Sequence, residues 1–455
     1  MIRTVLAISA CKLTRLALRL LHRGGTALPG KVALRLCPDL LGRLGRDVQV
    51  LLVTGTNGKT TTARMLEQAF ADAGLPCFAN RSGSNLIQGI TAEFAENATL
   101  TGRPKKKYAV IECDEAASKA VLGQLRPQVI LVTNVFRDQL DRYGEITHTL
   151  ESIYQGLSHV PEATLCLNAD CSLTASLQRR LPNPVRFYGV NVPLYKDPVR
   201  ELSDASHCLF CKTEYEYDLV TYGHLGSFRC PKCGYSRPLP QVAVTEVLEQ
   251  TADGSRVRML CDGAEALVHI NLPAGYNIYN AVGAVAALTA MGFTLDAAAA
   301  AVGHFHCGFG RMEKFQLGSN PVRMILVKNP AGCNQVLNFL SSLDSPALFV
   351  ICLNDNYADG TDVSWIYDVE FEKLLELGDR LTGVLVSGKR CWDMALRLKY
   401  AGIPKEKLQV IEDYDALIQA MARQSSPVIV MPTYTAMLDL RAKLSRVCGG
   451  KDFWE

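Results

Sequence analysis

Between Val48 and about His306, short runs rich in aliphatic and β-branched residues (VQVLLVTG, KYAVIE, PQVILVTN, ATLCLNAD) alternate with stretches whose apolar positions recur at helical spacing. That alternation predicts an α/β domain with a parallel sheet flanked by helices, and ligands at the C-terminal ends of its strands. A second series (RMILVKNPAG, ALFVICLNDN, LTGVLVSG, SPVIVMPTY) starts near Arg311 and predicts a C-terminal α/β domain over 311–455. Upstream, residues 1–46 read as helical. Leu13, Leu16, Leu20 and Leu21 form an apolar face there, and Lys12, Arg15, Arg19 and Arg23 a basic stripe. The segment is expected to pack on the central domain, 47–310, with its basic face in solvent; a helix lying on a membrane surface is the alternative. Periodicity fails between Leu202 and Pro240, where a cysteine-rich insert interrupts the central domain.

Composition narrows the class of protein. The 455 residues carry a net charge of +3, which disfavours a nucleic-acid binder that relies on many phosphate contacts. The opening MIRTVLAISAC resembles a lipoprotein signal, but its apolar run is very short and Lys12, Arg15 and Arg19 follow at once. With no stretch of ~20 apolar residues to span a bilayer, a soluble cytoplasmic protein is expected.

The segment LLVTGTNGKTTTARMLEQAF joins a strand-like run to a glycine turn and a helix-like stretch. In that order, the amides of Gly55, Thr56, Asn57 and Gly58 and the helix N-terminus at Thr60 and Thr61 can surround phosphate oxygens. Lys59 can reach the β/γ-phosphates of ATP, and the Thr60 hydroxyl can hold Mg²⁺. Val53 occupies the first glycine position of the general pattern. In YAVIECDEAA, Glu112 is the best candidate for a second Mg²⁺ ligand, because it ends an apolar run at the same predicted sheet edge. Asp114 and Glu115 equally suit an acid-rich helix start. Asn134, Asp138 and Asp141 follow the next strand.

Sixteen cysteines are present, and four of them are patterned: Cys208, Cys211, Cys230 and Cys233 form two C-x₂-C knuckles separated by a hairpin-sized segment. The spacing predicts a zinc ribbon in which four thiolates leave no open position for substrate. Tyr215, Tyr217, Tyr222 and Phe228 are expected to form its small core.

Taken in order, TGTNGKTTT, IECDEA, TNVFRDQLDRYG, GYNIYNAVGAVAAL and GFGRMEKF resemble the Mur ligases. The resemblance implies transfer of the ATP γ-phosphoryl group to a carboxylate, followed by attack of an amine on the acyl phosphate. It assigns Asn277 and Asn280 to the nucleotide and Arg311 to the hinge near the phosphates. Gln139 stands where many members have a metal-binding His, and Tyr276 where they have another His. The amino-acid-binding aspartate of the C-terminal domain is also missing, with Lys328 and Asn329 in its place.

VKNPAGCNQVL, NDNYADGTDVSWIYD and the four-cysteine insert narrow the resemblance to the MurT branch. That branch implies amidation of the D-isoglutamate α-carboxyl of the lipid II stem peptide, with ammonia from a separate glutaminase subunit, GatD. Asp355, Asn356, Asp359, Asp362 and Asp368 crowd the second of these stretches; Tyr357 and Ile366 exclude an EF-hand loop. Asp355 is expected to complete the partner's Cys–His pair by orienting the imidazole across the interface. Lys59, Glu112, Arg311 and Lys328 are the expected catalytic residues. The competing readings are a stand-alone ligase that adds an amino acid, and a zinc-ribbon ATPase acting on nucleic acid.

Overall fold

The computed structural model describes residues 2–21, 27–81, 84–138, 146–195, 204–306, 311–341 and 345–448. Arg23, Gln139 and Asp141 lie outside them, as does the side chain of Arg311.

The central sheet is built from β1 (Gln49–Thr54), β2 (Cys77–Ala79), β3 (Tyr108–Glu112), β4 (Val129–Val132), β5 (Thr164–Asn168) and β6 (Val185–Val190). A separate hairpin, β7 (Glu216–Tyr222) and β8 (Leu225–Arg229), precedes β9 (Val242–Gln250), β10 (Ser255–Cys261) and β11 (Ala264–Ile270). Strand order is β11-β10-β9-β6-β5-β4-β1-β3-β2. Pairing is parallel from β2 across to β9, and β9 to β11 form an antiparallel meander. β1, β3 and β4 are buried on both faces, which is why they read as unbroken apolar runs. β1 lies between β3 and β4, so the strand order reverses around it and a crevice opens at its C-terminal end.

The second sheet contains β12 (Arg311–Leu317), β13 (Asn320–Ile325), β14 (Ala347–Cys352), β15 (Leu381–Ser387), β16 (Leu408–Val410) and β17 (Val428–Pro432), in the order β12-β13-β17-β14-β15-β16. Alternate residues of β14 enter opposite cores: Phe349 and Ile351 pack on one face, Leu348 and Val350 on the other.

The N-terminal helix Ile2–Leu20 does pack against the body, but not through its leucines. Thr4, Ala7, Ile8 and Cys11 are buried, whereas Leu13, Leu16 and Leu20 are 65%, 52% and 72% exposed. The helix lies against the helices Ala27–Leu36 and Ile87–Glu96, whose backbones approach so tightly that a Cβ on Gly30 would sit 1.7 Å from the Gln88 carbonyl oxygen. On the face that packs, Thr4, Ala7 and Cys11 are small and Ile8 is a large, fully buried side chain.

Candidate active site

The turn after β1 leads straight into the helix Lys59–Asp72. Gly58, at φ +85°, is in the left-handed region, and a Cβ there would lie 2.1 Å from Oδ1 of Asn280. Asn280 Nδ2 donates to Asn277 Oδ1 at 3.0 Å, and Asn277 Nδ2 donates to the Pro273 carbonyl at 2.6 Å. The asparagine pair on the helix Gly275–Ala290 is therefore set directly beneath the phosphate turn. From β4, Asn134 grips the same turn by accepting from the Asn57 amide at 2.9 Å and donating to the Asn57 carbonyl at 3.2 Å.

Lys59 is 8% exposed, and its Nζ donates to the Gly55 carbonyl at 2.6 Å and to the Glu115 carboxylate at 3.0 and 3.2 Å. Burial alone would lower its pKa, but Glu115, Asp114, Glu112 and Asp138 together hold it above the ordinary lysine value. Burial pushes the Glu115 carboxyl up, against the pull of Lys59. Glu115 thus acts as the buried counter-ion of the cradle lysine, a role that an acid-rich helix start does not suggest.

The crevice is a cavity of 520 Å³ whose walls include Thr56, Asn57, Gly58, Lys59, Thr60, Thr61, Glu112, Asp114, Asn134, Asp138, Tyr276, Asn277 and Asn280. Glu112 is 6% exposed and is fixed through its own backbone: Asn80 accepts from its N–H at 2.9 Å and donates to its carbonyl at 2.7 Å. Asp138 accepts from Lys328 Nζ through Oδ2 at 2.6 Å, while its buried Oδ1 has no partner among the described residues. A hydroxyl and carboxylates in one pocket are the hard oxygen donors that suit Mg²⁺.

Lys328 and Asn329 come from the second sheet, where they follow β13. Asn329 Nδ2 donates to Asn57 Oδ1 at 3.0 Å, so the C-terminal domain closes directly on the phosphate turn. Tyr195 adds a bond to Gln335 Oε1 at 2.6 Å across the same seam.

The acidic loop after β14 separates into distinct environments. Asp359 is 6% exposed and lines the cavity, where it accepts from the Thr435 amide at 2.7 Å and from its hydroxyl at 2.5 Å. Asp362 accepts from the Ser364 amide, and Asp368 pairs with Arg137. Asp355 does not line the cavity; its Oδ2 meets Arg390 Nη1 at 3.0 Å, and Asp393 grips the same guanidinium at 2.7 Å. The helix Cys391–Tyr400, which begins at the next residue, exposes Trp392, Leu396 and Tyr400 at four-residue spacing.

The sulfur ligand atoms of Cys208, Cys211, Cys230 and Cys233 all lie within 4.8 Å of one another. Tetrahedral coordination at ~2.3 Å places sulfurs about 3.8 Å apart, so the tetrad can take one zinc-sized ion. Phe228 packs on Tyr215 and Tyr235 to form the ribbon core. Tyr222 departs from the expected role: it stacks on Phe136 and lines the cavity. The insert is tied to the central domain by Asp170, whose carbonyl accepts from the Gly226 amide of the hairpin at 2.9 Å and whose carboxylate accepts from Arg237 at 2.5 Å.

The Mur ligase middle domain family matches residues 53–229, and the MurT ligase C-terminal family matches 326–437. The "Lipid II isoglutaminyl synthase (glutamine-hydrolyzing) subunit MurT" of Streptococcus pneumoniae (strain ATCC BAA-255 / R6) is 33% identical over 449 residues, 98% of this chain and 97% of that protein. Its counterpart in Staphylococcus aureus (strain COL) is 31% identical over 97% of each chain. Among solved structures, a pseudomurein peptide ligase type C from Methanothermus fervidus aligns with a TM-score of 0.67 at 20% identity, over 90% of this chain and 80% of that one. A kinship that runs end to end at this identity, with family matches in both the central and the C-terminal parts, leaves one conclusion: the chain belongs to the MurT family of Mur-type ligases.

Proposed function

We propose that this chain is the ATP-dependent half of a two-subunit lipid II isoglutaminyl synthase, working at the inner face of the membrane in peptidoglycan synthesis. It activates the α-carboxyl of the D-isoglutamate residue of the stem peptide, and ammonia from a GatD-like glutaminase converts the acyl phosphate to the amide. The observation that carries this reading is the meeting of two lysines at one cavity, Lys59 from the phosphate turn and Lys328 from the C-terminal domain. Lys328 stands where an amino-acid-adding ligase carries an aspartate, so the site offers cationic charge to phosphoryl oxygens and carboxylate rather than a grip on an incoming amino group.

In the reaction, amides of Gly55 to Thr61 hold the phosphates, and Asn277 and Asn280 hold the nucleoside. Lys59 exchanges its bonds to Glu115 for bonds to the β/γ-phosphate oxygens. Thr60 and Glu112 would hold Mg²⁺, which would supply charge neutralisation during transfer. A carboxylate oxygen of the substrate attacks the γ-phosphorus while the bond to the ADP oxygen breaks. Lys59, Lys328 and, on the family pattern, Arg311 balance the developing charge. Ammonia then adds to the acyl carbon, and phosphate leaves as a proton is lost from nitrogen. The Asn329–Asn57 contact supports closure of the second domain over the cavity, which limits attack by water.

A partner is supported by the surface after β14, where Asp355 is clamped by Arg390 and the helix that follows Arg390 exposes Trp392 and Tyr400, residue types enriched in binding hot spots. The test is to reconstitute the chain with a glutaminase of the GatD type, supply ATP, glutamine and lipid II, and follow conversion of the carboxylic acid to the carboxamide by mass. Loss of ATP dependence, or incorporation of an intact amino acid, would sink the reading.

The four-cysteine site is proposed to hold a structural zinc. About one zinc ion per chain is expected by elemental analysis, falling close to zero in Cys208→Ser. The variant is also expected to melt earlier and to lose ligase activity, because the hairpin sets Tyr222 in the cavity wall.

A further inference from the structure

The N-terminal helix leaves an apolar row uncovered. Ile2, Leu6, Leu13, Leu16 and Leu20 are 77%, 57%, 65%, 52% and 72% exposed, and steps of four, seven, three and four residues place them on one helical face. Leu28 and Leu36 of the next helix are 48% and 46% exposed. Monomeric proteins seldom leave a continuous apolar row of this length without an occupant.

Charge identifies the occupant. The first 38 residues contain seven Lys and Arg and no Asp or Glu. On the helix, Arg3 falls on one flank of the leucine row and Lys12 and Arg19 on the other, with Arg3 and Arg19 exposed. Arg15 faces the body instead and pairs with Glu93 at 3.5 Å. An apolar row bordered by cations on both sides is the arrangement of a helix lying in the plane of an anionic bilayer, with its apolar face among the acyl chains and its cations at the phosphates. No helix among the described residues is long and apolar enough to cross a membrane, so the contact is peripheral.

Position links this face to the cavity. Ala27, which begins the helix packed against this one, lines the cavity, as do Leu86 and Gly89 of the third helix in the group and its approach. The helix group that carries the leucine row therefore also supplies part of the cavity wall.

We propose that the face Ile2, Leu6, Leu13, Leu16 and Leu20, with Arg3 and Arg19, docks the protein on an anionic lipid surface. The proposal deepens the preceding reading, in which the substrate is lipid-linked. Its test needs no substrate, so failure of docking and failure of amidation appear in different assays.

The test is flotation of the full chain with vesicles of phosphatidylcholine, with and without phosphatidylglycerol. The wild type is expected to float with the anionic vesicles and to stay behind with the neutral ones. Leu13→Glu/Leu16→Glu is expected to weaken anionic-vesicle binding by about tenfold or more, and Arg3→Gln/Arg19→Gln to weaken it several-fold with a smaller salt dependence. Far-UV circular dichroism and solution ATP hydrolysis check that both variants are folded. Equal flotation of the leucine variant and wild type would overturn the proposal. So would a lipid-free wild-type dimer that the leucine variant dissolves, because a second copy would then be the occupant.

Discussion

Asp355→Asn is expected to abolish amidation supported by glutamine while leaving amidation supported by free ammonium near the wild-type rate. Asp355 lies outside the cavity that holds the phosphate turn, so its loss leaves ATP binding and carboxylate activation in place. Its Oδ2 is fixed by Arg390, and Asp393 holds that guanidinium from the other side, so the part-exposed carboxylate is presented in a set orientation just beyond the C-terminal end of β14. An aspartate that orients the histidine of a nucleophile pair can contribute about 10³–10⁴-fold, and an amide substitution there stabilises the wrong tautomer. The expected fall in glutaminase turnover is of that order. Asp359→Asn should behave differently, since Asp359 is bonded to the first turn of the protein's own helix Tyr434–Cys448. Loss of both the glutamine-dependent and the ammonium-dependent rates in Asp355→Asn would place this residue in the ligase site and refute the assignment.

Lys59→Met is expected to lower ligase turnover by on the order of 10²–10³-fold, the usual cost of removing one charge-stabilising donor. It should also destabilise the fold, because Glu115 would remain buried without its cation. Breaking a buried pair by removing one partner costs roughly 3–5 kcal/mol. The pH dependence follows from the direction of the Glu115 shift. Burial raises its carboxyl above the ordinary 4.5. A carboxyl whose folded-state pKa lies above its unfolded one favours folding most below the unfolded value and loses that contribution as pH rises through the folded value. The variant should therefore be least impaired in acid and most impaired near neutrality. Lys59→Met/Glu115→Gln should regain stability without regaining activity, as thermal melts and single-turnover assays would show. Recovery of activity in the double variant would rule out a phosphate-binding role for Lys59.

Much of the active site was readable because its demands are local. A glycine turn between a buried strand and a helix restricts backbone angles over a few residues, and Gly58 shows why: neither its φ nor the space above Asn280 admits a side chain. The cysteine knuckles were readable for the same reason, since only two residues separate the members of each pair and only the meeting of the pairs needs tertiary structure. Glu115 was harder to place. Asp114 and Glu115 fit one helix start equally well by pattern, and only the position of the Lys59 ammonium on a different element separates them.

The leucine face shows the limit of periodicity. A repeat at helical spacing identifies an apolar face but not what covers it, and here the face through Ala7, Ile8 and Cys11 is the one that packs. Tyr222 is similar. Its place among the aromatics of the insert suggested a ribbon core, yet the hairpin directs it to the cavity beside Phe136.

By itself, the sequence determined the strand-to-helix phosphate turn, the paired cysteine knuckles and the two α/β series, because covalent spacing and backbone angles constrain these over short stretches. Tertiary structure alone decided that Lys328 and Asn329 reach the cradle from another domain, that Asp359 turns inward while Asp355 stays at the edge, and that the N-terminal leucines remain uncovered. Those outcomes depend on which surfaces fit together at close-packed density, a property of segments distant in the chain.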